Sequence, residues 1–211
     1  MDSPYSPFKI HNNTYGKYMK KFLVGDYIIT RLKQLGAEHI FGVAGDYLFN
    51  FLDRIEANDS KFVCCCNELN AGYAADGYAR VKGLGAVALA FSVGEFSAIN
   101  AIAGAYCENI PIVVIGGSPS LLNHQKKLNI HHSLGEDYFV AMRMYKEITV
   151  VSEFISDPQQ APEQIDRALQ ACLHYKKPVY LSIPTDMVNQ ECTPPGPFQL
   201  MSYQSDPNHL K

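Results

Sequence analysis

Two stretches of this chain, 85–91 (Gly-Ala-Val-Ala-Leu-Ala-Phe) and 111–116 (Pro-Ile-Val-Val-Ile-Gly), are apolar or glycine throughout instead of at every second position. A strand with one wet face alternates, whereas a continuously apolar strand is covered on both faces. That points to a parallel sheet held between two layers of helices. The remaining segments fit around this requirement. Residues 22–35 place Leu23, Tyr27, Ile28, Leu32 and Leu35 on one helical face, and Gly36 ends the helix. A strand is expected at 39–43, a turn at Ala44-Gly45-Asp46, a helix at 47–57 and a strand at 62–66. A helix rich in small residues follows to about residue 83, and another spans 95–108. Residues 117–133 read as a long polar loop. Beyond it come a helix at 137–145, a strand at 148–151, a helix at 162–174 and a strand at 178–183. The alternation defines the class as α/β, an open and mostly parallel sheet with helices on both faces, in a flavodoxin-like three-layer arrangement.

A chain of 211 residues can form one α/β domain of this kind with extensions. Residues 1–20 read as a polar N-terminal extension, 21–190 as the domain, and 191–211 as a Pro-rich interdomain linker, truncated, opening with Pro194-Pro195-Gly196-Pro197. The net charge of −3 and the absence of a basic cluster argue against nucleic acid and against an anionic membrane surface as partners. No apolar run approaches the roughly 20 residues of a membrane span, and the first twenty residues lack the apolar core of a secretory signal. A cytoplasmic location is the expectation. Cys64, Cys65 and Cys66 are consecutive, which suits neither metal-ligand spacing nor a disulfide framework. All six cysteines are expected to be reduced and mostly buried as small apolar residues.

Three groups of residues could carry chemistry. Glu68 follows Asn67 at a strand-to-helix turn, so Asn67 is placed to cap the helix and Glu68 lies in its first turn. The plain reading of Glu68 is a carboxylate that favours the helix dipole. The functional one is a lone acid at the carboxyl edge of a parallel sheet, where ligands bind in such folds. Asp46, after the strand-end Gly45, is a turn residue on the plain reading. His131 and His132 are by the same standard exposed loop residues, and no further His or Cys stands at ligand spacing to suggest a metal. Ser92-Val93-Gly94 makes a tight strand-to-helix turn, and Glu95 after it reads as a dipole-favouring acid. Tyr73 and Tyr78 are expected in the core or at an interface.

The stretch Asn67-Glu68-Leu69-Asn70-Ala71-Gly72-Tyr73-Ala74-Ala75-Asp76-Gly77-Tyr78-Ala79-Arg80 resembles the segment with the cofactor-activating glutamate in thiamine diphosphate-dependent 2-oxo acid decarboxylases of the pyruvate and indolepyruvate decarboxylase type. The stretches 43–47, 92–95, 104–109, 130–135 and 177–181 resemble the same family in its order and spacing, so the likeness runs from about residue 22 to 197. It implies the N-terminal domain, which holds the aminopyrimidine ring of the cofactor. Glu68 would hydrogen-bond a ring nitrogen, and apolar burial would help such a carboxyl share a proton with the ring. Asp46, His131 and His132 would relay the proton needed after decarboxylation, as an imidazole beside a carboxylate can near neutral pH. Gly45, Ser92, Val93 and Gly94 would lie against the cofactor.

The family binds diphosphate and magnesium through a Gly-Asp-Gly and a later Asn-Asn on a separate C-terminal domain, and this sequence has no Gly-Asp-Gly. The resemblance therefore implies thiamine diphosphate and magnesium as cofactors that need another domain for tight binding. The implied substrate is a 2-oxo acid. The implied partner is a second copy of the chain or a diphosphate-binding domain. Alone, the chain is expected to be inactive. Two other readings stand beside this one: a non-catalytic domain that associates with or regulates a full-length relative, and an unrelated flavodoxin-like binding module. The joint presence of Glu68, Asp46, His131 and His132 disfavours both.

Overall fold

The computed structural model describes residues 21–200; the expected N-terminal extension and the end of the expected linker lie outside them. Six strands, β1 (His39–Gly42), β2 (Lys61–Cys64), β3 (Gly85–Leu89), β4 (Ile112–Ser118), β5 (Ser152–Phe154) and β6 (Val179–Pro184), form one sheet in the order β2-β1-β3-β4-β6-β5. Every pairing is parallel. The helices are α1 (Val24–Gln34), α2 (Phe49–Ala57), α3 (Glu68–Lys82), α4 (Val93–Cys107), α5 (Leu121–Lys126), α6 (Val140–Lys146) and α7 (Ala161–Tyr175).

The continuous apolar strands do bury both faces. Ala86 and Ala88 of β3 with Val113 and Ile115 of β4 face one core, shared with Ile28 and Leu32 of α1, Phe51 of α2 and Leu169 of α7. Their neighbours Val87, Leu89, Ile112 and Val114 face the other, with Ala71, Ala75 and Ala79 of α3, Ala98 and Ile102 of α4, and Tyr145 of α6. Small residues decide how closely α3 and α4 pack: a Cβ on Gly72 would stand 2.7 Å from the Cβ of Ala101. The start of α3 is fixed by the Asn67 side chain, which accepts the Asn70 amide at 2.9 Å, and its end by Gly83 at φ 90°.

The sheet has its switch point between β1 and β3. After β1 the chain enters α2 on the first face, and after β3 it enters α4 on the second. Loops leaving adjacent strands in opposite directions open a crevice at the strands' carboxyl ends.

Several elements depart from the sequence reading. The expected loop 117–133 contains α5, seated on the end of β4 by a 2.9 Å hydrogen bond between Ser118 Oγ and His124 Nε2. The His124 ring packs among Tyr138, Phe139 and Phe154, and its burial lowers its pKa. The expected strand at 148–151 begins later, as β5. Val150 and Val151 already bond the backbone of Pro178 and Tyr180, yet Ile148 and Thr149 close the end of α6, with Thr149 Oγ1 donating to the Tyr145 carbonyl at 2.7 Å. β2 stops at Cys64 and is an edge strand, which leaves the cysteine run uncovered, and of the six cysteines Cys172 and Cys192 are the buried ones. Cys64, Cys66 and Cys107 are exposed and Cys65 partly so, all six being free thiols. Tyr73 is about half exposed, while Tyr78 packs on His39 and Phe41. Residues 194–198 return to α1, where Arg31 donates to the Gly196 carbonyl at 2.6 Å and stacks on Phe198. Among the described residues no helix is long and apolar enough to cross a membrane.

Candidate active site

The residues singled out in the sequence lie in the loops at the carboxyl ends of the strands. Asp46 opens a short 3-10 turn (Asp46–Leu48) directly after β1, and its Oδ2 lies 2.6 Å from Nε2 of His131. Both side chains are about half exposed, so the pair is open to an incoming ligand. His132 stacks edge-on against His131, ring centroids 4.9 Å apart, and takes a left-handed φ of 64° that turns the chain sharply. Tyr47 holds this turn. Its hydroxyl donates to the His131 carbonyl at 3.0 Å, and its ring lies 5.0 and 6.2 Å from the two imidazoles. Burial, with the charge of Asp46 beside it, pushes the Tyr47 pKa up to about 12, which keeps the phenol a donor. Phe91 and Tyr138 complete the apolar wall behind Tyr47.

A second group forms where β2 and β3 lead into helices. Glu68 begins α3, partly exposed, and its carboxyl lies against Gly94: a Cβ there would stand 3.0 Å from Glu68 Oε1. Gly94 is thus the residue that leaves room beside the acid. Gly45 performs the matching service on the β1 side, where an added Cβ would come 3.0 Å from the Cβ of Ala90. The two loops therefore approach each other across the switch point. Ser92 between them is buried at φ 60°, ψ −89°, a conformation few residues other than glycine adopt. Val93 is exposed beside it.

Under this turn lies Glu95, 1% exposed. Its Oε2 accepts the Ser92 amide at 2.6 Å, and its Oε1 accepts the Tyr180 hydroxyl at 2.5 Å. Burial pushes its pKa up to about 8, against the opposing effect of those two hydrogen bonds.

The family described as "Thiamine pyrophosphate enzyme, N-terminal TPP binding domain" matches residues 23–142, more than half of the chain and all of the loops just described. The chain belongs to that family. The chain is similar over most of its length to longer proteins. It is 48% identical over 166 residues to a pyruvate decarboxylase of Aspergillus parasiticus, covering 78% of this chain and 29% of that one. It is 45% identical over 177 residues to an alpha-keto-acid decarboxylase of Mycobacterium ulcerans, covering 83% and 31%. The solved thiamine diphosphate-dependent 4-hydroxybenzoylformate decarboxylase of Rhodococcus jostii shares the fold, with a TM-score of 0.72 at 24% identity over 82% of this chain and 32% of that one. The chain spans less than a third of the length of these relatives.

Within the domain, the structure brings together Asp46, His131 and His132 as one cluster, and Glu68 with Gly94 as another. Glu68 is partly exposed, not buried as a proton-sharing carboxyl would be. Glu95 adds to the sequence reading. It keeps its place in the first turn of α4, where it accepts the N-cap amide, and it is in addition a buried acid held by Tyr180. The signal was available, because Glu95 is the one charged residue in the α4 sequence. Tyr47 was also missed, and nothing in its local pattern separates it from any other first-turn aromatic. For magnesium, no group of three or more His, Cys, Asp or Glu side chains among the described residues could hold a metal ion.

Proposed function

We propose that this chain is the pyrimidine-binding portion, residues 21–190, of a thiamine diphosphate- and magnesium-dependent non-oxidative 2-oxo acid decarboxylase, followed by a linker at 191–211 leading to further domains. The observation that carries the reading is the crevice at the β1/β3 switch point. A half-open carboxyl lies beside a glycine on one side of it, and a carboxylate–imidazole pair on the other. The residues fit a heteroaromatic ring. Gly94 leaves Glu68 Oε1 uncovered from its side, and the Ser92–Gly94 backbone offers an edge for the ring to lie against.

When bound, thiamine diphosphate supplies the electron sink for loss of carbon dioxide from the 2-oxo acid. Glu68 would hold the group by sharing a proton between its carboxyl and a ring nitrogen. Asp46 orients His131 through the 2.6 Å contact, so the imidazole can hand a proton across the crevice while Tyr47 fixes the turn that carries it. Diphosphate and magnesium are assigned to a domain supplied by another part of the enzyme or by a second copy. That surface would also shield Glu68 from water. The chain alone is therefore inactive, and the site is completed by assembly.

Calorimetric titration with thiamine diphosphate and magnesium, with and without a separately produced diphosphate-binding domain of a related decarboxylase, tests this. Tight binding only in the mixture, weakened at least about tenfold by Glu68→Gln, is expected, since a hydrogen bond to a charged group contributes about 1.5–3 kcal/mol. Association of the two domains with cofactor binding indifferent to Glu68→Gln would favour a non-catalytic partner instead.

A further inference from the structure

Beneath the candidate site lies a charged-type side chain that the proposed chemistry does not use. Glu95 is enclosed on all sides. Its Oε1 stands where a Cβ on Gly116 would come within 2.2 Å, so β4 leaves a notch that only glycine provides. The Tyr145 and Tyr180 rings stack 4.7 Å apart, with Tyr180 hydroxyl on the carboxyl and Tyr145 hydroxyl donating to the Glu95 carbonyl at 2.8 Å. Two donors, the Ser92 amide and the Tyr180 hydroxyl of β6, thus converge on one carboxyl, while the Tyr145 hydroxyl of α6 holds the same residue's backbone and Gly116 of β4 leaves the space. What that carboxyl holds on its other oxygen is the amide of Ser92, the residue with the unfavourable backbone conformation. Such outliers persist only where their surroundings over-determine them.

We propose that Glu95 is a positioning residue for the crevice: through the Ser92 amide it locks the strained turn after β3, and so sets Gly94 against the Glu68 carboxyl. The inference deepens the decarboxylase reading, since it concerns how that site keeps its shape. Two steps of covalent structure connect Ser92 to Gly94, and Gly94 touches Glu68, so a change at the buried carboxyl has a short path to the acid that faces the ligand.

The environment gives the lock a pH range. Among the described residues, the titratable groups that bear on Glu95 are the phenols of Tyr145 on α6 and Tyr180 on β6, and no cation does. Burial raises all three, Glu95 to about 8, so at neutral pH the acid is mostly protonated. Ionisation above that range places an uncompensated charge under the turn, which only the Ser92 amide and the Tyr180 hydroxyl can stabilise.

The test needs no cofactor. In the full chain labelled with nitrogen-15, the amide signals of Ser92, Gly94 and Glu68 are followed through the alkaline range. The expected result is one shared titration curve centred near 8 at all three. It is abolished in Glu95→Gln, which keeps the shape of the side chain. It moves to higher pH in Tyr180→Phe, which removes a hydrogen bond to the ionised form; that variant also serves if Glu95→Gln does not fold. A residue that merely fills space would lower thermal stability on substitution yet leave these three amides flat with pH. Flat signals at Gly94 and Glu68 in the folded parent chain, or a curve that survives Glu95→Gln, would overturn the proposal. Failure to bind thiamine diphosphate would sink the decarboxylase reading and leave this one standing.

Discussion

At the scale of single residues, the site is built from side chains whose polar partners are local and whose positions are distant in sequence. Asp46 and His131 meet although 85 positions separate them, because one leaves β1 and the other sits in the segment after α5. Tyr47 is what makes that meeting reproducible, holding the His131 carbonyl while stacking on both imidazoles. Replacing Tyr47 with Phe removes the hydroxyl and keeps the ring. The expected cost is about 0.5–1.5 kcal/mol, the net value of one hydrogen bond, seen as a lower urea midpoint. Faster hydrogen exchange at the Ser133 amide, which closes the same turn on Ile130, should accompany it. An unchanged midpoint with unchanged exchange would mean that the rings alone hold the turn. Asp46, Glu68 and the histidine pair could be picked out in the sequence because the surrounding motifs are long. The burial of Glu95 was not read because its position, third in a helix, has an ordinary explanation in the helix start, which it also serves. Its standing as the one charged residue of α4 is the local hint of burial, and its neighbours Gly116, Tyr145 and Tyr180, contributed by later segments, account for it.

At the scale of elements, the sequence was most legible where packing and pattern agree. β3 and β4 are apolar throughout because helices cover both faces, and they appear within two residues of where the pattern puts them. It was least legible where polarity is uninformative. α5 buries none of its residues fully and looks like the loop around it; its docking depends on Ser118 and His124, a contact between segments. β5 was placed too early because 148–151 is the more apolar stretch, although Ile148 and Thr149 are committed to the end of α6. The α3–α4 contact gives a prediction at this level. The bulk of Val at Gly72 has no room against Ala101, so Gly72→Val should push the helices apart and cost roughly 1–3 kcal/mol as overpacking. Thermal unfolding would measure it. Because α3 begins with Glu68, the displacement should also disturb the Gly94 contact, whereas a neutral substitution would show that the helices separate freely.

At the scale of the whole molecule, a covered sheet carries a candidate site that is open to solvent. The sheet is covered on both faces and its switch point is built in detail, yet Glu68, Asp46 and His131 all stand partly open to solvent. Fold and family could be read from the chain because they depend on residues it contains. On the proposed function, closing the site takes a surface from elsewhere in the enzyme, in keeping with relatives of which the matched residues make up 29% and 31%. The most direct measurement is carbon dioxide release from pyruvate by a chimera in which this chain replaces the matching segment of the Aspergillus relative. The account predicts turnover in the chimera, and a loss of at least about a hundredfold on Glu68→Gln, within the range expected of a positioned acid–base group. A chimera that folds and binds thiamine diphosphate but releases no carbon dioxide would contradict it.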